Sequence, residues 1–85
     1  MGRLGHTVLY KLSEQDCATI DREAPMVEQG RTVRNSVSPG ERYPATVVAQ
    51  WNEQYVNLVV QLDGYGVYWA TSRAQGEIPG CWDEV

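Results

Sequence analysis

The sequence predicts a small, mainly β domain with one N-terminal helix, bent into an SH3-like antiparallel barrel. Three observations carry this. Residues 43–62 alternate apolar and polar side chains at period two over two successive runs. Turn residues separate those runs and a third, and only one segment, opening at Ser13, has the signature of a helix start. A sheet of so few strands curls to hide its edges. A helix packed on an open four-stranded antiparallel sheet is the alternative architecture.

Each element has its own justification. Residues 7–12, TVLYKL, are rich in β-branched and aromatic side chains and read as a short strand. Ser13-Glu14-Gln15-Asp16 then forms a helix N-terminus: Ser13 caps the amide of Asp16, and the early acids complement the positive end of the helix dipole. Leu12 and Cys17 supply a hydrophobic staple. The helix is expected to reach about Glu23 and to end before Ala24-Pro25, because proline disfavours a helical residue ahead of it. Its inward stripe is Cys17, Ile20 and Ala24. Residues 25–42 form an irregular arm, with Val33 and Val37 able to anchor a short edge strand and turns at Gly30 and Ser38-Pro39-Gly40.

The β-meander occupies 43–82. In YPATVVAQW, Tyr43, Ala45, Val47, Ala49 and Trp51 share the expected inner face. Asn52-Glu53-Gln54 turns the chain. In YVNLVVQL, Val56, Leu58, Val60 and Leu62 carry the phase. Asp63-Gly64 suits a tight hairpin. In VYWATSR, Val67, Trp69 and Thr71 oppose Tyr68, Ala70 and Ser72, and Trp69 is expected in the core with Trp51. Pro79-Gly80 bends the chain so that Trp82 folds back. The whole of 1–85 is one domain, with 7–24 a β-α extension.

Composition narrows the function. With 85 residues the chain buries about 60–65% of its unfolded surface, a thin margin for stability. Three Trp and five Tyr with no Phe provide core volume that keeps a polar tip. The net charge is −4, from 7 basic and 11 acidic residues. Its few cations, Lys11 and Arg3, Arg22, Arg31, Arg34, Arg42 and Arg73, are scattered, whereas phosphate backbones need them clustered. No nucleic-acid partner is expected; a basic protein surface is the natural match. Cys17 and Cys81 show no metal-ligand spacing and read as two thiols, with a bridge between them the alternative. No apolar run has the length of a signal peptide or a membrane span, so the expectation is a soluble chain without a membrane partner.

Catalysis finds no constellation. His6 stands alone near the N-terminus, Asp63 is explained by its turn, Cys81 has no base near it in sequence, and no helix follows Gly64 and Gly66 to make a phosphate loop. No enzyme activity, cofactor or metal is expected. An aromatic cage for a methylated ammonium could draw on Trp51, Tyr55, Tyr65, Tyr68 and Trp69, but the strand alternation separates them. Tyr55, Tyr65 and Tyr68, with Arg31 and Arg34 of the arm, are the candidate partner-contacting residues.

The order NSVSPGERYPATVV, VNLVVQLDGYGVYWATS and GEIPGCW, spanning about residues 33–82, resembles a group of small uncharacterised proteins of actinobacterial phages and prophages. Their shared run is Gly-x-x-Tyr-Pro-Ala-x-Val-Val, Val-Asn-Leu-x-Val-x-Leu-Asp-Gly, Tyr-Trp-x-Thr-Ser and Pro-Gly-x-Trp. This chain departs at Tyr65-Gly66-Val67, where the group has polar turn residues, and at its CWDEV end. The resemblance implies a non-enzymatic phage protein working through protein–protein contacts. A virion accessory or capsid decoration subunit comes first, located in the virion or the host cytoplasm and able to form a homo-oligomer within an assembly. An acidic inhibitor docking on a basic host protein is the alternative. The resemblance supplies no catalytic residues.

Overall fold

The computed structural model describes residues 2–22, 26–28, 31–33, 37–62 and 66–85, with the backbone alone for 26–28 and 31–33. The order is β1 (Thr7–Lys11), α1 (Glu14–Arg22), β2 (Met26–Glu28), β3 (Arg31–Val33), β4 (Arg42–Gln50), β5 (Val56–Gln61), β6 (Val67–Arg73) and β7 (Trp82–Asp83). Five strands form an antiparallel sheet in the order β6-β5-β4-β1-β7. The molecule is therefore mainly β with one short helix. The ladder is not closed, although Gln75 and Trp82 make a single parallel bridge across the gap. Two bonds flank that bridge, Gly76 N to Trp82 O at 2.8 Å and Trp82 N to Ala74 O at 3.1 Å.

Within 25–42, where an irregular arm was expected, β2 and β3 pair antiparallel in a two-stranded sheet of their own. The Ser38-Pro39-Gly40 turn forms: Glu41 N donates to Ser38 O at 3.2 Å and Gly40, at φ 88°, donates to Leu12 O at 2.8 Å. Val37 packs against the core beside it. The expected turns at Gly30 and Asp63-Gly64, and the helix end at Glu23-Ala24-Pro25, lie outside the described residues.

The core gathers Val8, Tyr10 and Leu12, Cys17 and Ile20 of α1, Tyr43, Ala45 and Val47 of β4, Val56, Leu58 and Val60 of β5, Ala70 of β6, and Trp82. The helix start is as expected. Asp16 N donates to Ser13 Oγ at 3.0 Å and Ser13 N donates back to Asp16 Oδ2 at 2.9 Å, so each residue satisfies the other's free amide. Leu12 and Cys17 are both buried, consistent with the staple. Cys17 and Cys81 are free thiols, and burial, followed by the nearby negative charges of Asp16, Asp21 and Glu41, pushes the Cys17 thiol up.

Trp82 folds back as expected and is fully buried. Gly80, at φ 92°, makes the bend and donates to Lys11 O at 2.8 Å. The Trp82 indole N–H is shared between Gln54 O at 3.0 Å and Arg73 O at 3.1 Å. The Arg3 guanidinium lies over the ring, 5.1 Å from its centroid, and pairs with Glu84 at 2.7 Å. One ring thus ties together the N-terminal segment, the β4–β5 turn and the end of β6.

Candidate functional site

Asn57 is the buried polar residue of β5, whose other polar residue, Gln61, is exposed at its end, and the sheet is irregular on both sides of Asn57. Toward β4 the register runs Val47↔Leu58 and then Ala49↔Asn57, leaving Val48 as an extra residue. Toward β6 it runs Leu58↔Ala70 and then Val56↔Arg73, leaving an extra residue in β6. Ser72 lies there with φ 54°, a conformation uncommon for any residue but glycine. Bulges leave a backbone group unpaired and re-aim the side chains that follow. The Asn57 Oδ1 answers the first problem by accepting the Ser72 amide at 2.7 Å. It also accepts the Trp51 indole N–H at 3.0 Å. Asn57 is itself buried.

The bulges overturn the expected burial of Trp51. Tyr43, Ala45 and Val47 face inward as the alternation requires, but the extra residue at Val48 reverses the phase beyond it. Gln50 comes opposite the buried Val56, and Trp51 is turned out, 61% exposed. Trp69 is also 62% exposed rather than core. In β6 the inner face belongs to Tyr68 and Ala70, opposite Val60 and Leu58, so Val67 and Trp69 point outward. The VYWATSR alternation is symmetric enough in hydrophobicity that period alone favours neither face. Trp69 lies opposite Val59, which lies opposite Thr46. Asn57 and Val59 are successive outer positions of β5, about 7 Å apart. Trp51, bonded to Asn57, and Trp69, opposite Val59, are thus placed on the same outer face of the sheet.

Two concavities flank these rings. One of 320 Å³ is lined by Gly2, Gln50, Trp51, Asn52 and Glu53. The adjoining turn is set by Asn52, whose Oδ1 accepts the amides of Gln54 and Tyr55, both at 2.9 Å. The other, 480 Å³, is lined by Thr19, Val67, Tyr68, Trp69, Thr71 and Arg73, beside the outer edge of β6.

Behind that edge sits a second cluster that sequence reasoning did not assemble. The Asp16 carboxylate, buried at 1% exposure, accepts Tyr10 Oη at 2.6 Å and Ser13 N at 2.9 Å on Oδ2. On Oδ1 it accepts Tyr68 Oη at 2.7 Å and Arg73 Nη2 at 3.0 Å. Arg73 reaches it because the bulge at Ser72 turns Arg73 to the inner side, opposite Val56. Burial alone would raise the Asp16 carboxyl. The bonds from Tyr10, Ser13 and Tyr68 and the charge of Arg73 outweigh it and hold the carboxyl below its ordinary range. Burial, then the bond to Asp16, pushes Tyr68 up to about 12 and Tyr10 well above its ordinary value. With two donors on each oxygen the carboxylate has little capacity left to act as a base; it pins α1 to β1 and β6.

The residues expected to contact a partner are distributed. Tyr55 is 43% exposed at the β4–β5 turn. Tyr68 is half-buried, its ring lining the larger concavity and its hydroxyl bound to Asp16. Arg31 lies on β3, where only the backbone is described, and Tyr65 and Arg34 lie outside the described residues. The aromatics considered for a cage are divided, with the Tyr68 hydroxyl directed inward and Trp51 and Trp69 outward. Among the described residues no three His, Cys, Asp or Glu side chains gather as metal ligands, and no helix is long and apolar enough to cross a membrane. Asn57 within VNLVV was the available signal for the bulges; no local pattern announces the Asp16–Arg73 pair.

Comparison with protein-family models, curated proteins and solved structures finds no match to this chain.

Proposed function

We propose that this chain is a non-enzymatic phage protein that works by docking its two-tryptophan face on another protein, as a virion accessory or capsid decoration subunit. The observation that carries the reading is that Trp51 and Trp69 are about three-fifths exposed while Trp82 is fully buried. Large exposed rings on one face of a small domain favour an interface, because tryptophan and tyrosine dominate the energetic centres of protein contacts. Val67, Tyr55 and Val48 are exposed as well. The bridge between Gln75 and Trp82 supports reading the sheet as a strongly bent, SH3-like barrel whose last strand pairing is open. A rigid sheet of this kind presents its rings with little ordering cost.

Mass spectrometry of purified virions tests the assignment. The chain is expected in particles at a reproducible ratio to the capsid protein, and a Trp51→Ala/Trp69→Ala double variant is expected to be lost from them. Absence of the wild-type chain from particles ends the virion reading. The acidic-inhibitor reading draws on the net charge of −4 and on Glu53 beside Trp51 in the smaller concavity. Salt-sensitive capture of a basic host protein from infected lysate would favour it.

A further inference from the structure

We propose that the 480 Å³ concavity beside β6 is a binding site for a neutral saccharide, with one pyranose ring stacked on Trp69. Its volume falls within the roughly 300–1,000 Å³ of small-molecule sites. The lining divides by chemistry. Trp69, 62% exposed, and Val67 offer a flat apolar surface. The Thr71 hydroxyl stands two positions along the same face of β6, about 7 Å away, and Thr19 of α1 and the Arg73 guanidinium complete the polar part. A pyranose is divided in the same way, into a face of C–H groups and a rim of hydroxyls. The electron-rich face of an indole attracts such C–H groups, and the threonines and Arg73 can meet the rim. Thr19 of α1 and the Ser72 bulge that ends the regular strand suit the hollow to a compact ligand rather than an extended chain.

The polar groups are matched to hydroxyls rather than to an anion. Arg73 pairs with Asp16 at 3.0 Å, so its charge is already balanced. Its bonds to Asp16 and to Tyr68 Oη, the latter at 3.1 Å, both leave from Nη2, and its Nε is buried without a partner. The guanidinium therefore holds N–H donors in reserve but has no uncompensated charge to offer. Thr19 Oγ1 accepts from Arg22 Nη2 at 3.5 Å, a long contact that leaves the threonine O–H to donate. A phosphate or carboxylate would instead bring negative charge close to Asp16, on a chain whose net charge is −4. A hydroxylated ligand without charge meets neither penalty. The site does not depend on the virion reading.

Nuclear magnetic resonance titration of the isotope-labelled full chain tests this, with cellotriose, maltotriose and chitotriose as neutral probes and trigalacturonate as the anionic one. At least one neutral trisaccharide is expected to bind with a millimolar dissociation constant and to move the signals of Trp69, Thr71 and Thr19. Trp69→Ala should weaken that binding at least about tenfold. Thr71→Val keeps the side-chain shape without the hydroxyl and should weaken it about threefold. Trp69 and Thr71 are exposed, and circular dichroism checks that each variant folds. Neutral sugars that leave every signal in place at tens of millimolar overturn the proposal. So does binding that survives Trp69→Ala unchanged, because the ligand would then lie elsewhere. Tighter binding of trigalacturonate also overturns it, because the site would then read charge. In each case docking on another protein is left standing, since the content of virions is measured separately.

Discussion

The two sides of β6 use similar side chains for opposite ends. On the inner side, Tyr10, Tyr68 and Arg73 surround the Asp16 carboxylate, with all four of its acceptor positions filled. On the outer side, Trp69 and Val67 stand in solvent, and Trp51 is held at its indole N–H while its ring remains exposed. The inner cluster fills its carboxylate and leaves only Arg73 Nε without a partner among the described buried side-chain atoms; the outer face is aromatic and exposed. Trp69 faces outward in the regular register and Trp51 is turned out by the bulge at Val48, whereas the inner side depends on the bulge at Ser72. That second bulge presents the Ser72 amide to Asn57 and, one residue later, turns Arg73 toward Asp16. The lesson is that inserted residues sort similar side chains to opposite faces, because each re-aims the chain that follows it.

If the inner side is structural, its loss has the largest effect on stability. Asp16→Ala leaves Tyr10, Tyr68 and Arg73 without their shared acceptor and is expected to cost about 3 kcal/mol in chemical denaturation. Arg73 is partly exposed and can regain water, which keeps the cost from the upper end of the range. A loss below about 1 kcal/mol would make the cluster incidental and erase the contrast.

Acid titration probes the same cluster more gently. Asp16 is held below the ordinary 3.8 of an aspartate. The unfolded chain therefore takes up the proton first as pH falls. The stability contributed by Asp16 is complete above about pH 5 and is lost as pH drops through about 4 toward its depressed folded value. Thermal melts of the wild type should show this acid slope, and Asp16→Ala should flatten it. Equal slopes in the two proteins would assign acid sensitivity elsewhere.

Asn57→Ala tests the hinge between the two sides. It removes one oxygen that serves both the Ser72 amide and the Trp51 indole, with an expected cost of about 1–2 kcal/mol. Near-ultraviolet circular dichroism should lose signal as Trp51 becomes mobile. An unchanged spectrum would mean that Trp51 is held by other contacts.

Trp69→Ala is expected to change stability least, within about 0.5 kcal/mol, while weakening association. This outcome sharpens the comparison most, because the largest side chain of β6 would then contribute little to the fold. A cost near 3 kcal/mol, typical of a buried aromatic, would return Trp69 to the core and remove the basis for an interface.

Much of the framework was legible from residues close in sequence. The reciprocal Ser13 and Asp16 cap, the strand phases of Tyr43–Val47 and Val56–Val60, the Asn52 turn and the return of Trp82 after Pro79-Gly80 all rest on short-range geometry. The tryptophans were misplaced for a definite reason. Period-two reasoning counts residues, and the extra residue at Val48 breaks the count before Trp51. In β6 both alternating sets contain aromatic residues, so the count had no preferred origin there. Asp16 was legible as a cap but not as a buried anion, since Tyr68 and Arg73 are more than fifty positions away.

Composition, alternation and turn chemistry were therefore sufficient for a small β-rich chain with a capped helix and an acidic surface, because each arises from neighbours a few residues apart. Which rings are hidden, which face the solvent, and where Arg73 finds its counter-charge were decided only when distant strands met. Register between strands is a property of the pair, and one unpaired residue in either strand redirects everything after it.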